Sequence, residues 1–141
     1  ETGHLVLSTL HTSDVRTSLD RILDTIPPEA KNHVRMQLSN SLLAIVSQKL
    51  VPRADGEGRV VACEVLMKSP TIENIIARNE FDKLSEAMST SAAYYKMQTL
   101  NQALEALVEK GVVSPEDAVL ASNAPEDLRM RLLGFKKEEG F

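Results

Sequence analysis

The stretch that decides the fold is ETGHLVLSTLHT, residues 1–12, an apolar run bracketed by His4 and His11 and ending in Ser, Thr and His side chains. Such a continuous apolar run is typical of a β-strand covered on both faces in an α/β protein. We therefore predict a strand over residues 5–10 that delivers polar groups at its far end. Because the sequence opens directly on this run, we expect a part of a larger protein, with the other half of its site upstream of Glu1.

Two helices are predicted to follow the apolar run. Helix-start residues, 12–14, precede apolar side chains at helical spacing, namely Val15, Leu19, Ile22, Leu23 and Ile26. Pro27 and Pro28 end this helix and open the next, because proline suits a first helical turn and not a helix interior. The second helix carries apolar residues from Val34 to Leu50, and its last part, VSQKLVPR, is also compatible with a strand.

A β-hairpin and then a purely helical region are predicted for the rest. The turn ADGEG, residues 54–58, leads into a run of β-type composition over residues 59–67. From Ser69 the pattern changes to helices, and Ser114 opens a capping-box pattern. We predict an α/β portion over residues 1–68, a helical domain over residues 69–134 and a mobile tail over residues 135–141.

Composition narrows the class of protein. The 141 residues are long enough for a domain with a sizeable core, and 43% apolar with 26% charged residues is ordinary for a globular protein. A net charge of −4 gives no electrostatic reason to expect nucleic acid as a partner. No apolar stretch approaches the ~20 residues of a membrane span, so no direct membrane insertion is predicted. The single cysteine, Cys63, excludes an internal disulfide and a zinc site built on cysteine pairs, and favours a reducing, cytoplasmic setting.

Five segments, in this order along nearly the whole chain, carry a family resemblance: TGHLVLSTLHT at 2–12, DRILD at 20–24, IVSQKL at 45–50, GRVVA at 58–62 and MQTL at 97–100. Together they resemble the C-terminal part of the secretion-type hexameric ATPases of type II secretion and type IV pili. Within that group they are most similar to the PilT-type pilus retraction ATPases. The first segment corresponds to the "His box" of that family.

The resemblance implies a fold and a function. It implies that residues 1–68 are the C-terminal half of a RecA-like P-loop ATPase core, followed by an all-α helical tail domain. It implies a parent protein that is a hexameric, ATP-hydrolysing motor for pilus retraction and twitching motility. ATP and Mg²⁺ are the implied cofactors, an inner-membrane pilus platform protein is the implied partner, and a cytoplasmic location, peripheral at the inner membrane through that partner, follows.

The phosphate-binding loop of such a motor is absent from this sequence. No G-x-x-x-x-G-K-[ST] pattern occurs in it, so it has neither the loop that cradles phosphates nor its lysine. The acidic Walker B motif of the family would lie just before Glu1. We therefore expect ATP and Mg²⁺ to be bound mainly by residues outside this chain, and the isolated chain to be inactive.

The His box supplies the candidate catalytic residues, His11 and His4. The resemblance implies that it lines the nucleotide site near the γ-phosphate. A strand with a rise of roughly 3.3 Å per residue separates the two histidines by about 20 Å, so they do not both touch one phosphate. His11, near Thr9 and Thr12 at the strand end, is the predicted γ-phosphate sensor, and both threonines are candidate nucleotide ligands. His4 is assigned to a neighbouring segment or subunit contact. Alternatively, both histidines only satisfy strand-end backbone groups.

Arg21, on the first helix, is the remaining candidate nucleotide ligand. A guanidinium group neutralises the charge that develops during phosphoryl transfer. The alternatives are a salt bridge to Asp20 or Asp24, or a brace between the helix and the rest of the domain. No metal site is predicted on this chain, because its three histidines show no metal-binding spacing.

One position departs from the family pattern. PilT-type proteins carry AIRNLI after a proline, and this sequence has TIENII at residues 71–76, with Glu73 in the place of the arginine. The charge reversal leaves open a motor subunit of a related secretion system. A non-enzymatic oligomerisation or interaction module is the further alternative.

Overall fold

The computed structural model describes residues 3–134 of the chain. The predicted mobile tail, 135–141, lies outside the described residues. The elements are α1 (Val15–Asp24), α2 (Pro28–Ser41), β1 (Ala44–Pro52), β2 (Arg59–Met67), α3 (Pro70–Arg78), a 3₁₀ turn (Phe81–Lys83), α4 (Leu84–Thr90), α5 (Ala92–Tyr95), α6 (Leu100–Glu109), α7 (Pro115–Ala121) and α8 (Pro125–Leu132).

The strand predicted over residues 5–10 is not formed, and this prediction was wrong for the described chain. The sheet formed by residues 3–134 has two strands, β1 and β2. Leu5, Val6 and Leu7 are instead 74%, 79% and 89% exposed. A strand with two buried faces needs neighbouring strands for its backbone and packed layers for its side chains. The described residues supply neither to this segment, which we call the His segment (residues 3–12).

The two predicted helices after the His segment are confirmed at their starts, and both end earlier than the predicted apolar spacing, at Asp24 and Ser41. The Asp14 carboxylate accepts a hydrogen bond of 2.7 Å from the Thr17 backbone N–H, which caps the first turn of α1. Pro28 is the first residue of α2, where its missing N–H leaves no hydrogen bond unmade. The helix α2 ends at Ser41, and the stretch 46–53 continues as the strand β1 (Ala44–Pro52) rather than as helix, with Arg53 just after the strand.

The predicted hairpin is present as β1 and β2. Its turn includes Gly56 and Gly58, both with positive φ, where a glycine avoids the strain that a β-carbon would introduce. The turn closes with a hydrogen bond of 3.1 Å from the Arg53 N–H to the Gly58 carbonyl oxygen. Alternate residues of β1 are buried or half-buried, with Ser47 and Val51 buried, and on β2 the buried residues are Ala62 and Leu66. Such spacing is typical of strands that cover a core with one face.

The chain divides into two compact units. Unit 1 comprises Glu1–Ser47 and Val65–Gln98. Its core brings together buried side chains of α1, the end of β2, α3, the 3₁₀ turn, α4 and the segment before α6: Val15, Leu19, Leu23, Leu66, Ile72, Ile75, Ile76, Phe81, Leu84, Ala87, Met88 and Met97. The buried face of α1 in this core is the one that carries the predicted apolar spacing.

Unit 2 comprises Gln48–Glu64 and Thr99–Phe141. Its core consists of Val51, Ala62, Leu100, Ala103, Leu104, Val113, Ala118 and Leu128. The cap predicted at Ser114 is confirmed, because its side chain accepts the Asp117 N–H at the start of α7. Thr99 and Gln102 form a capping box on α6, which the sequence analysis did not predict.

The regular elements described after residue 68 are helices, with one isolated bridge between Val65 and Gln98. They are shared between the two units, each of which also holds part of the hairpin. A separate all-α domain over residues 69–134 therefore stays a prediction. Among residues 3–134, no helix has the length and apolarity that crossing a membrane requires.

Candidate functional site

The end of the His segment is fastened to α1 by Arg21. The Arg21 guanidinium Nη1 donates a hydrogen bond of 3.0 Å to the backbone carbonyl oxygen of His11. Both residues are exposed, so the imidazole of His11 stands at the surface while its backbone is held. This contact restricts the backbone of His11 without using its side chain.

A second contact between the His segment and α1 lies one residue further along. The hydroxyl oxygens of Thr12 and Ser18 are 2.6 Å apart. Ser18 is 2% exposed, and its hydroxyl also donates a hydrogen bond of 2.8 Å to the carbonyl oxygen of Asp14. Thr12 is thereby anchored to the buried face of α1 through a serine that water does not reach.

The N-cap residue of α1, Asp14, adds a carboxylate to this region. Asp14 accepts hydrogen bonds from the Thr17 N–H at 2.7 Å and from the Ser13 hydroxyl at 2.9 Å. Its negative charge stabilises the N-terminus of the helix, where the helix dipole is positive. The Asp14 carboxylate would repel an incoming phosphate. Binding of an anion here therefore depends on the nearby hydrogen-bond donors.

The structure brings together three of the five predicted site residues. Through the contacts described above, His11, Thr12 and Arg21 converge on the first two turns of α1. Thr9 and His4 lie exposed, earlier in the His segment, and are not part of this cluster. The predicted nucleotide-binding role of Thr9 therefore stays a prediction, as does the catalytic role of His4.

The cluster carries hydrogen-bond donors of the kind that bind anions. Arg21 uses one N–H on the His11 carbonyl and keeps further N–H donors for other acceptors. The His11 imidazole offers an N–H as a donor in either neutral tautomer. Such donors suit the oxygens of a phosphate group.

A Mg²⁺ site is not supplied by these residues. In the part of the chain that the structure describes, no three His, Cys, Asp or Glu side chains lie close enough to hold a metal ion. Hard cations such as Mg²⁺ take oxygen ligands, and one or two carboxylates with substrate phosphates are the usual set.

The salt-bridge alternatives for Arg21 are tested by the partners of the two nearby aspartates. Asp20 lies 3.9 Å from Arg16, and Asp24 lies 3.0 Å from Lys31. The carbonyl contact to His11 joins α1 to the segment just before it, and a brace between the helix and the rest of the domain stays a prediction.

Sequence reasoning missed Ser18. The signal was present, because helical spacing from Val15 places position 18 on the same face as Leu19 and Ile22. A serine on that buried face needs a hydrogen-bond partner, and the carbonyl four residues earlier is the nearest one. Its second partner is Thr12. The contact between them depends on the path of the His segment over α1, and the sequence pattern does not predict that path.

The position that departs from the family pattern is engaged in an ion pair. The Glu73 carboxylate lies 3.2 Å from the ammonium group of Lys68, and each side chain is 36% exposed. Lys68 also donates a hydrogen bond to the carbonyl oxygen of Asn40 near the end of α2. The acidic residue at position 73 therefore has a basic partner within unit 1.

Comparison with protein families and curated proteins gives close matches. A family described as "Type II/IV secretion system protein" matches residues 1–124. A "Twitching motility protein" of Neisseria gonorrhoeae is 42% identical over 118 residues, which are 84% of this chain and 31% of that protein. The "Type IV pilus retractation ATPase PilT" of Pseudomonas aeruginosa is 40% identical over 127 residues, 90% of this chain and 36% of that protein.

Solved structures of ATPases also match this chain. The pilus retraction motor PilT with bound ADP superposes with a TM-score of 0.80 at 39% identity, over 92% of this chain and 35% of that one. The Legionella pneumophila ATPase DotB superposes with a TM-score of 0.62 at 21% identity, which shows a shared fold alone. This chain spans about a third of the length of the curated relatives it matches.

Proposed function

Because the chain belongs to the type II/IV secretion system protein family, we propose that it is part of an ATP-hydrolysing motor for type IV pilus retraction. The observation that carries the proposal is the superposition of 92% of the chain on the pilus retraction motor with bound ADP. In this proposal, residues 1–68 belong to a RecA-like ATPase core, and the helices of residues 69–134 convert its state into movement.

His11 is the proposed sensor of the γ-phosphate. Its imidazole N–H bonds a γ-phosphate oxygen while ATP is bound and loses that partner after hydrolysis and phosphate release. Because the Arg21 guanidinium holds the His11 carbonyl, a displacement of His11 pulls directly on α1. Two arrangements with different nucleotide contacts are what such coupling needs.

The remaining parts of the proposal concern the whole protein. Its P-loop and acidic residues would bind ATP and Mg²⁺, and six copies would form the working ring. The partner would be a pilus platform protein of the inner membrane, which would hold the motor at the cytoplasmic face of that membrane. His4 would act at a neighbouring segment or subunit, and Thr9 would contact the nucleotide.

A motor subunit of a related secretion system is the second candidate. The Lys68–Glu73 ion pair favours this second candidate. A function that needs a cation at position 73 cannot be carried out by Glu73, whose carboxylate is paired with Lys68. Pseudomonas aeruginosa has a "Type IV pilus ATPase PilU" that is 39% identical over 132 residues, 94% of this chain and 34% of that protein. A second ATPase of type IV pili, named differently from the retraction ATPase of the same organism, thus lies within the same range of similarity.

The test is steady-state ATP hydrolysis by the full-length protein that carries this segment, compared with its His11→Ala variant. We expect hydrolysis to fall about 100-fold or more, the usual effect of removing one preorganised donor from developing charge. The matched control is His33→Ala, which removes an exposed histidine on α2. Assembly of each variant is checked by its hydrodynamic size.

Each outcome bears on the proposal. Hydrolysis that collapses in His11→Ala and persists in His33→Ala supports a γ-phosphate sensor. Hydrolysis that is equal in both variants removes the sensing role of His11. A full-length protein that binds and hydrolyses no ATP favours the non-enzymatic oligomerisation or interaction module.

A further inference from the structure

The hydrogen bond between Thr12 and Ser18 has a direction that a third group fixes. Ser18 Oγ lies 2.8 Å from the carbonyl oxygen of Asp14 and 2.6 Å from Thr12 Oγ1. A carbonyl oxygen only accepts hydrogen bonds, and a serine hydroxyl has one proton to give. Ser18 therefore gives its proton to Asp14. The bond between the two hydroxyl groups must then use the proton of Thr12.

Thr12 consequently presents only lone pairs to the site. Ser18 is 2% exposed, so water does not compete for its oxygen and the proton of Thr12 stays committed. The oxygens of an ionised phosphate are acceptors as well, and two acceptors without a proton between them do not attract. The remaining lone pair of Thr12 fits a donor, and the smallest donor in a site of hydrolysis is a water molecule.

We propose that the Thr12 hydroxyl accepts a hydrogen bond from the water that attacks the γ-phosphate, and that Ser18 is a positioning residue that holds Thr12 in this acceptor state. The inference rests on the proposed function, because it requires the His segment to line the site of ATP hydrolysis. It replaces the predicted contact of Thr12 with the nucleotide by a contact with the second reactant.

The reaction assigns Thr12 a role in orientation only. The water oxygen forms a bond to the γ-phosphorus, and the bond from that phosphorus to its bridging oxygen breaks, leaving the electron pair on ADP. Thr12 holds one O–H of the water and directs its lone pair towards phosphorus, a gain of the kind that positioning gives. A hydroxyl is too weak a base to take the proton, which ends on the released phosphate or in solvent.

The test separates kcat from KM in the full-length protein that carries this segment. Thr12→Val keeps the shape of the side chain and removes the acceptor. We expect kcat to fall about tenfold, as for one neutral hydrogen bond lost from the transition state, with KM for ATP unchanged within about twofold. Thr12→Ser keeps the hydroxyl and is expected to restore kcat. Binding of a non-hydrolysable ATP analogue is expected to be unchanged in both.

Ser18→Ala tests the positioning role. Without the serine oxygen, Thr12 regains a free proton and loses its fixed direction, so kcat falls. The double variant Thr12→Val, Ser18→Ala is expected to be no slower than Thr12→Val alone, because both changes remove the same oriented acceptor.

The matched control is Ser39→Ala in α2. Ser39 is also 2% exposed, and its hydroxyl donates a hydrogen bond of 2.7 Å to a carbonyl of its own helix. If Ser39→Ala lowers kcat as much as Ser18→Ala does, the effect is a general loss of packing and the positioning role is wrong. Urea unfolding of the 141-residue chain identifies any variant that fails to fold.

Failure of this inference differs from failure of the proposed function. An increase of KM in Thr12→Val with kcat preserved places Thr12 on the nucleotide and overturns the inference while the motor proposal stands. A His11→Ala variant that retains activity removes the proposed sensor, yet a selective fall of kcat in Thr12→Val still supports the inference. A full-length protein without ATP hydrolysis overturns both.

Discussion

Arg21 and His11 are ten residues apart in sequence, and a guanidinium-to-carbonyl hydrogen bond of 3.0 Å joins them. Arginine is suited to this contact, because its long side chain reaches back along the helix and its planar fork has several donors. The contact links the residue proposed to sense phosphate to the helix that packs into the core of unit 1 through Val15, Leu19 and Leu23.

The first prediction removes this link. In Arg21→Met the aliphatic stem remains and the donor is lost. Because the contact is exposed, the free energy of unfolding of the 141-residue chain is expected to fall by less than about 1 kcal/mol. Amide hydrogen exchange of residues 9–12 is expected to accelerate. Arg16→Met is the control, since Arg16 is an exposed arginine of the same helix that lies 3.9 Å from Asp20. Equal exchange in the two variants would contradict the brace.

The second prediction concerns Lys49 on β1. Its ammonium group donates to the carbonyl oxygen of Ala121 at 2.7 Å and to Asn123 Oδ1 at 3.0 Å. Ala121 is the last residue of α7, where carbonyl groups lack helical partners and a cation is favourable. Lys49→Met is expected to lower the free energy of unfolding by about 1–3 kcal/mol, as for charged hydrogen bonds. Urea titration measures it.

The control for Lys49 is Lys31→Met, which removes an exposed ion pair to Asp24 at 3.0 Å. We expect a loss of at most about 1 kcal/mol there, because solvent screens exposed ion pairs. A loss as small in Lys49→Met would show that the cap of α7 is not held by this lysine.

The third prediction tests the pairing of Lys68 and Glu73. Glu73→Arg places the family arginine beside Lys68, where two cations repel each other instead of pairing. The melting temperature is expected to fall at low ionic strength and to recover partly at high salt, because salt screens surface charges. The charge-swapped double variant Lys68→Glu, Glu73→Arg is expected to recover most of the loss. A melting temperature that does not respond to salt would exclude the electrostatic explanation.

The fourth prediction is a pH dependence at the hairpin turn. Hydrogen bonds from the Arg53 guanidinium, and from the Glu57 N–H at 2.9 Å, lower the pKa of Asp55 to about 2. A carboxyl whose pKa is lowered on folding stabilises the fold above its unfolded pKa, and this contribution is lost as pH falls through the folded pKa. The relevant window is therefore about pH 4 to 2. Because Asp55 is exposed, the effect is expected to be small.

The comparison variant for the fourth prediction is Asp55→Asn, which has no carboxylate to protonate. The difference in urea midpoint between the original chain and Asp55→Asn is expected to shrink as pH falls from 4 to 2. A difference that is constant over this range would show that the carboxylate does not contribute through its charge.

Local signals predicted most of the fold. Pro28 and Ser69 fixed the starts of α2 and α3 because their conformational preferences act within one helical turn. The hairpin followed from turn residues between two β-type runs. The His segment was predicted wrongly because a strand with two buried faces depends on neighbours that are distant in sequence, and a pattern of apolar residues does not reveal whether they are present.

The candidate site was predictable by residue type and not by contact. The histidines and threonines of the His segment were found from their clustering and from the family resemblance. Ser18 and the direction of its hydrogen bonds required coordinates, because the proton of Thr12 is assigned only when the Asp14 carbonyl is seen beside Ser18. The direction of this hydrogen bond thus depends on three groups: the Asp14 carbonyl and the hydroxyls of Ser18 and Thr12. Helical spacing in the sequence brings together only the first two.

The fifth prediction concerns a buried hydroxyl without a partner. Ser47, on β1, is 5% exposed, and its Oγ is the buried side-chain oxygen without a hydrogen bond among the described residues. A desolvated hydroxyl that bonds to nothing destabilises the folded state. Ser47→Ala is therefore expected to leave the free energy of unfolding unchanged or to raise it by up to about 1 kcal/mol.

Ser69→Ala is the matched control, because Ser69 is 3% exposed and its Oγ caps α3 by accepting the Ile72 N–H at 3.2 Å. Its loss is expected to cost about 1 kcal/mol, so the two serine variants should shift the urea midpoint in opposite directions or by clearly different amounts. A Ser47→Ala variant as destabilised as Ser69→Ala would mean that the hydroxyl has a partner after all, such as a buried water bonded to it.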